Sequence, residues 1–291
     1  MDQRIIDLYD EFTHGRIERR DFLQRLALLA GGMTGALALL PRLRNDYGLP
    51  AIVAPEDERI ETRRIVYPGA TGEVRAYVAA PRADGPAPAV VVIHENRGLN
   101  PHIEDVTRRV AAAGFWSIAP DALSPAGGTP QDEDRAREAI QALDPKTTVA
   151  DLAAAVAYAQ AQPATTDRVG CIGFCWGGGM ANQLAVGCPD LAAAVAFYGK
   201  QPAAGDVPRI RAALLLHYAG LDERINAGIA GYESALKAAG VRYRLHHYEG
   251  VNHAFFNDTS PTRYDAAAAG LAWERTLEFL RAELAQPRIR R

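Results

Sequence analysis

Cysteine is scarce in this chain. Only Cys171, Cys175 and Cys188 occur, an odd number gathered in one stretch, which does not suit a disulfide framework and leaves a thiol-based function open. They show neither CxxC spacing nor an accompanying histidine pair, so no metal site is expected from them. Blocks of like charge are also missing. With 32 basic and 35 acidic residues the formal charge is -3, and nothing in that balance favours nucleic acid as a partner. No apolar run reaches the roughly 20 residues of a membrane span, and no internal repeat or low-complexity tract appears beyond alanine-rich helices. What is present is 48% hydrophobic residues over 291 positions, enough for one large domain with an appendage or for two small domains.

Residues 1–45 differ from the rest. Arg19-Arg20 precede Asp21-Phe22-Leu23 and an uncharged run from Leu26 to Leu40. The pattern resembles a twin-arginine export signal, which implies a periplasmic or exported enzyme and a partner in the export machinery. A second reading fits the same residues. Ile5, Ile6, Leu8, Tyr9 and Phe12 recur at helical spacing, and Gly15 would end a first helix. Asp21 to Leu40 would form a second, giving a retained helical hairpin on a cytoplasmic protein. Residues 46–62 read as a linker, and residues 63–291 as the main domain.

That domain alternates short apolar runs with amphipathic stretches. RRIVYPG and EVRAYVAAP predict a hairpin. The apolar, β-branched run from Ala89 to Ile93 predicts a strand covered on both faces. Helix and strand then alternate to a last helix from about Tyr264 to Ala285. The fold class is therefore α/β, with a mainly parallel sheet flanked by helices and an N-terminal helical appendage. In such sheets chemistry collects at the carboxyl ends of the strands.

The strand RVGCIGF runs into GFCWGGG and a helix, which places Cys175 at a strand-to-helix turn. By itself a cysteine beside glycines reads as a small buried residue. At this turn it matches the G-x-S-x-G nucleophile elbow, with flanking Gly173 and Gly177 sparing the tight backbone a side chain. The helix N-terminus also favours a thiolate. Asp222 follows the strand AALLLHYAG, and His253 follows the last strand, giving the order nucleophile, acid, base. His94, His217, His246 and His247 compete for the base, and Asp258 comes late for the acid. Cys171 and Cys188 read as structural. The backbone N–H groups of Asn96 and Trp176 are expected to form an oxyanion hole. Glu95, at a buried strand end beside the thiol, is expected to interact with Cys175.

From about Arg63 to Leu280 these pieces, HENRGLN, GFCWGG, the Asp of HYAGLD, GVNHAF and AWERTLEFL, resemble the dienelactone hydrolase (carboxymethylenebutenolidase) family of α/β-hydrolases. The resemblance implies a Cys175-His253-Asp222 triad, an acyl-thioester intermediate, Glu95 holding the resting thiol, and no metal or organic cofactor. It also implies arginines for a substrate carboxylate. The positions after His253 hold Ala254, Phe255, Phe256 and Asn257, and the other loop, residues 121–128, holds no arginine either. An Arg–carboxylate clamp has no neutral equivalent. A neutral ester or lactone is thus the expected substrate, with Tyr198, Phe255 and Phe256 lining an apolar pocket and Arg97 or Arg263 as substitute cations. The alternatives are a broad carboxylesterase or polyester hydrolase, or a non-catalytic thiol sensor. Monomer and homodimer both fit.

Overall fold

In the computed structural model, which describes residues 1–285, three helices precede a single sheet. The helices are α1 (Gln3–Thr13), α2 (Arg19–Leu29) and α3 (Met33–Leu43). The strands are β1 (Ile60–Pro68), β2 (Glu73–Pro81), β3 (Ala87–Ile93), β4 (Trp116–Pro120), β5 (Thr165–Phe174), β6 (Ala193–Phe197), β7 (Ala213–Ala219) and β8 (Tyr243–Tyr248). Between and after them run α4 (Pro101–Ala112), α5 (Glu133–Gln141), α6 (Pro145–Gln160), α7 (Trp176–Gly187), α8 (Glu223–Asn226), α9 (Ile229–Ala238) and α10 (Ala266–Leu284).

The strand order is β1-β2-β4-β3-β5-β6-β7-β8. β1 and β2 form the expected antiparallel hairpin, β2 runs antiparallel to β4, and the remaining neighbours are parallel. Ala89 to Ile93 is buried throughout because helices cover both faces. On one side Ile103 and Val106 of α4 meet Phe279 and Leu280 of α10; on the other lie Leu152 of α6, Leu184 of α7 and Leu236 of α9. The chain steps from β3 to β4 on one side and returns through β5 on the other. That reversal opens the crevice where such folds bind ligands.

The N-terminal segment departs from the expected hairpin. Gly31 and Gly32, at φ 73° and 127°, occupy backbone regions that only glycine enters cheaply, and they split the second helix into α2 and α3, bent by 111°. No single helix among the described residues is long and apolar enough to cross a membrane. The three helices bury their own cluster, with Phe12 and Phe22 stacked at 4.6 Å between ring centres. Each such side chain is worth roughly 1.5–3 kcal/mol when removed from water. The stretch after α3 is also tied down. The Ile52 and Val53 N–H groups donate to Asp105 at 3.0 and 2.9 Å, and Arg108 donates to the Val53 carbonyl.

Candidate active site

Cys175 stands between β5 and α7 with φ 55° and ψ -115°, a conformation that costs a non-glycine residue of order 1–3 kcal/mol and persists only when its surroundings impose it. The surroundings do. Its N–H donates to the Phe197 carbonyl at 3.0 Å. A Cβ on Gly173 would overlap the Gly177 carbonyl, and one on Gly177 would overlap the carbonyls of Ile93 and His94. No side chain fits at either glycine, so the turn is forced tight and the thiol is lifted above the end of the sheet.

Asp222 follows β7 and caps α8, accepting from the Ile225 N–H at 3.2 Å. His253 lies in the loop after β8. Its Nδ1 sits 2.5 Å from Asp222 Oδ2, so the carboxylate accepts the ring proton and turns Nε2 toward the thiol. That nitrogen is buried and has no hydrogen-bond partner among the described residues. The three groups predicted from sequence thus converge from three strand ends.

A fourth group joins them that the sequence reading passed over. His14, just after α1, brings Nε2 to 3.3 Å from Cys175 Sγ, and its ring meets that of His253 edge-on at 4.7 Å. Its Nδ1 faces the Asp10 carbonyl at 2.8 Å and the Asp10 carboxylate at 3.3 Å. Both are acceptors, so Nδ1 carries a proton and Nε2 is the atom presented to sulfur. The catalytic domain fixes this end of α1 by supplying donors to its last carbonyls. Arg137 donates to the Phe12 carbonyl at 2.7 Å and Asn96 Nδ2 to the Thr13 carbonyl at 2.8 Å. Arg137 also lies over the Phe12 ring at 4.3 Å. The only advance sign of His14 was its place four residues after Asp10, at a helix end closed by Gly15.

Burial would push the Cys175 thiol up, but the charges of His253 and then His14 outweigh it and bring it down to about 6. His253 behaves inversely. Burial disfavours its cation, yet Asp222 and the Cys175 thiolate raise it well above the ordinary histidine value. His14 is raised against its own burial by Asp10 and Cys175. Asp222 is lowered: His253 overcomes the desolvation of its carboxylate. Arg224 lies 3.9 Å from both Asp10 and Asp222, behind the two imidazoles. These shifts favour a thiolate facing imidazolium, the state that a sulfur nucleophile requires. A cavity of about 460 Å³ opens beside it, between α1 and the loops after β7 and β8.

Other expected residues lie elsewhere than anticipated. Glu95 is buried but turned to Asn257, whose Nδ2 donates at 2.6 Å, and to the Tyr198 hydroxyl at 3.5 Å; the side chain bonded to the thiol is His14. Phe255 and Phe256, expected in an acyl pocket, are core residues. Phe255 packs on Tyr248 and Tyr198, and Phe256 stacks on Phe174. Both rings follow directly on Ala254, whose φ is 65°. Arg97 is buried against Tyr9 and Glu133, holding α1 rather than facing the cavity. Tyr198 does stand at the site, its ring 4.8 Å from that of His253. The backbone N–H groups of Asn96 and Trp176 find no acceptor among the described residues. His94 stacks on Trp176, His217 bonds to Tyr248 and Thr276 within the core, and Asp258 pairs with His102 and Arg109.

Comparison with known proteins adds an independent line. Residues 74–284 match the dienelactone hydrolase family, and residues 1–32 match a separate family described as YqhI-like. A carboxymethylenebutenolidase of Pseudomonas putida is 34% identical over 213 residues, 70% of this chain and 89% of its own. Among solved structures, the dienelactone hydrolase of Anabaena variabilis superposes with a TM-score of 0.61 at 22% identity, over 78% of this chain and all of that one. A dienelactone hydrolase-like promiscuous phosphotriesterase from metagenomic libraries gives 0.71 at 24% identity, over 77% of this chain and 99% of that one. These two likenesses speak for the fold alone. The family match begins in β2, ends in α10 and takes in the elbow, the acid and the histidine, and the chain therefore belongs to the dienelactone hydrolase family of α/β-hydrolases.

Proposed function

We propose that this hydrolase opens neutral esters or lactones through an acyl-thioester on Cys175. The observation that carries the reading is the His253–Asp222 pair at 2.5 Å with its free ring nitrogen turned to the thiol at the elbow. The Cys175 thiolate attacks the carbonyl carbon, and the oxyanion is held by the N–H groups of Asn96 and Trp176. Imidazolium His253 then protonates the leaving oxygen. In the second half His253 takes a proton from water, the hydroxide displaces the thiolate, and the acid product leaves. His14 is a positioning residue in this scheme, sharing the charge of the resting thiolate.

Substrate charge is read from two features. The stretch from Ala254 to Asp258 after His253 holds no arginine, and Asn257 within it is spent on Glu95. Along the cavity Asp7, Asp10, Glu11, Asp222 and Glu223 stand against Arg16, Arg224, Arg263 and the cationic His253, so the lining offers a substrate carboxylate no net positive field. We also favour an N-terminal segment that stays attached over a removed export leader, because α1 supplies a side chain in contact with the nucleophile.

A matched panel of neutral and anionic esters and lactones tests the reading. Neutral members should turn over faster, and Cys175→Ala should lower the rate by about 10⁴-fold or more. Hydrolysis persisting in that variant would sink the mechanism; a preference for the anionic members would sink the substrate class.

A further inference from the structure

A nucleophile of this kind needs one base, and this one faces two imidazoles. Cys175 Sγ, His14 Nε2 and a ring nitrogen of His253 all lie within 4.8 Å of one another. Around a four-coordinate zinc ion with bonds of about 2.0–2.3 Å, ligand atoms stand ~3.3–3.8 Å apart. The His14–Sγ separation of 3.3 Å already meets that spacing, and the third atom lies within 4.8 Å of the other two. One thiolate with two imidazoles suits zinc-class ions and not magnesium or calcium.

The surroundings match a ligand set as well. Each imidazole has its Nδ1 held by an acceptor, Asp222 for His253 and Asp10 for His14, the arrangement that orients metal-bound histidines and raises their basicity. His253 Nε2 is buried, unpartnered and aimed into the cluster. The cavity lined by Asp10, Asp222 and His253 brings solvent to one of the three ligands and to the carboxylates behind both imidazoles.

We propose that Cys175, His14 and His253 bind one zinc-class divalent cation, and that its presence switches the hydrolase off by tying up nucleophile and base together. The lone pairs of the thiolate and of both Nε2 atoms form the bonds, and any protons on those nitrogens pass to solvent. The switching half rests on the hydrolase reading above; the binding half does not.

The test titrates Co²⁺ into the reduced full chain and reads the near-ultraviolet thiolate-to-cobalt band and the visible bands of a four-coordinate site, then displaces it with Zn²⁺. One equivalent should bind. Cys175→Ser should abolish the thiolate band. Asp10→Asn should weaken binding by about 10- to 100-fold, and His14→Gln at least as much, with circular dichroism checking that both variants are folded. In parallel, Zn²⁺ should inhibit ester hydrolysis reversibly by chelator, with an inhibition constant raised in His14→Gln by the same factor as the binding constant. Absence of the thiolate band in the unmodified chain overturns the proposal, as does an affinity indifferent to both Asp10→Asn and His14→Gln. Zinc inhibition equal in the unmodified chain and His14→Gln overturns the switch. A chain that shows the band yet hydrolyses no ester refutes the hydrolase reading and supports the metal site.

Discussion

At the scale of single residues, the chemistry turns on the charge of one sulfur. Burial works against a Cys175 thiolate, and two imidazoles reverse that, placing its titration at about 6. A lowered thiol is ionised above that pH and protonated below it. The rate of alkylation by iodoacetamide should therefore hold above about pH 6 and fall as the pH drops through that value. In His14→Gln one neighbouring cation is gone, and the midpoint should move up toward the ordinary thiol range. A pH–rate profile checks both, and an ordinary midpoint in the unmodified chain would remove the basis for a poised nucleophile. Cys175 and Asp222 were legible in the sequence because each follows a strand whose apolar pattern announces it, and His253 because it follows them in the chain order nucleophile, acid, base. His14 was not. Its contact spans 161 residues of chain and depends on where α1 docks, which no local pattern encodes.

Among the elements, the strands were the most legible, since runs such as Ala89 to Ile93 have the composition that a doubly covered strand demands. The face of α1 was legible too, from the spacing of Ile5, Leu8 and Phe12. Its seat was not, because the partners of that face come from α2, α3, α5 and the loop after β3. The break between α2 and α3 lay in plain view as Gly31-Gly32, but an apolar run on both sides outweighed it in the pattern. Arg137 of α5 offers a handle on this seat. Arg137→Ala removes a hydrogen bond to the Phe12 carbonyl and a cation over the Phe12 ring, together worth about 1–3 kcal/mol. Limited proteolysis should then cut within the first 45 residues about tenfold faster while the sheet domain stays intact. Cutting at an unchanged rate would show that α1 is held by other contacts.

Taken as a whole molecule, the protein joins two segments that match different families, and the junction runs through the active site. A removable leader would leave Cys175 with one imidazole instead of two and would expose Arg97 and Asn96, which now bond to α1. The retained reading predicts that active protein recovered from cells carries residues 1–45, read by intact mass. Full activity in a chain that begins after Leu43 would refute it.

Asn96 makes that junction more than a lid. Its backbone N–H is one of the two assigned to the developing oxyanion, while its side-chain amide grips the Thr13 carbonyl at the end of α1. The two tasks fall on one residue, so displacing α1 is expected to loosen the group that aligns the oxyanion donor. The segment and the catalytic centre are thereby coupled: a copy whose first helix is not seated is expected to hydrolyse more slowly.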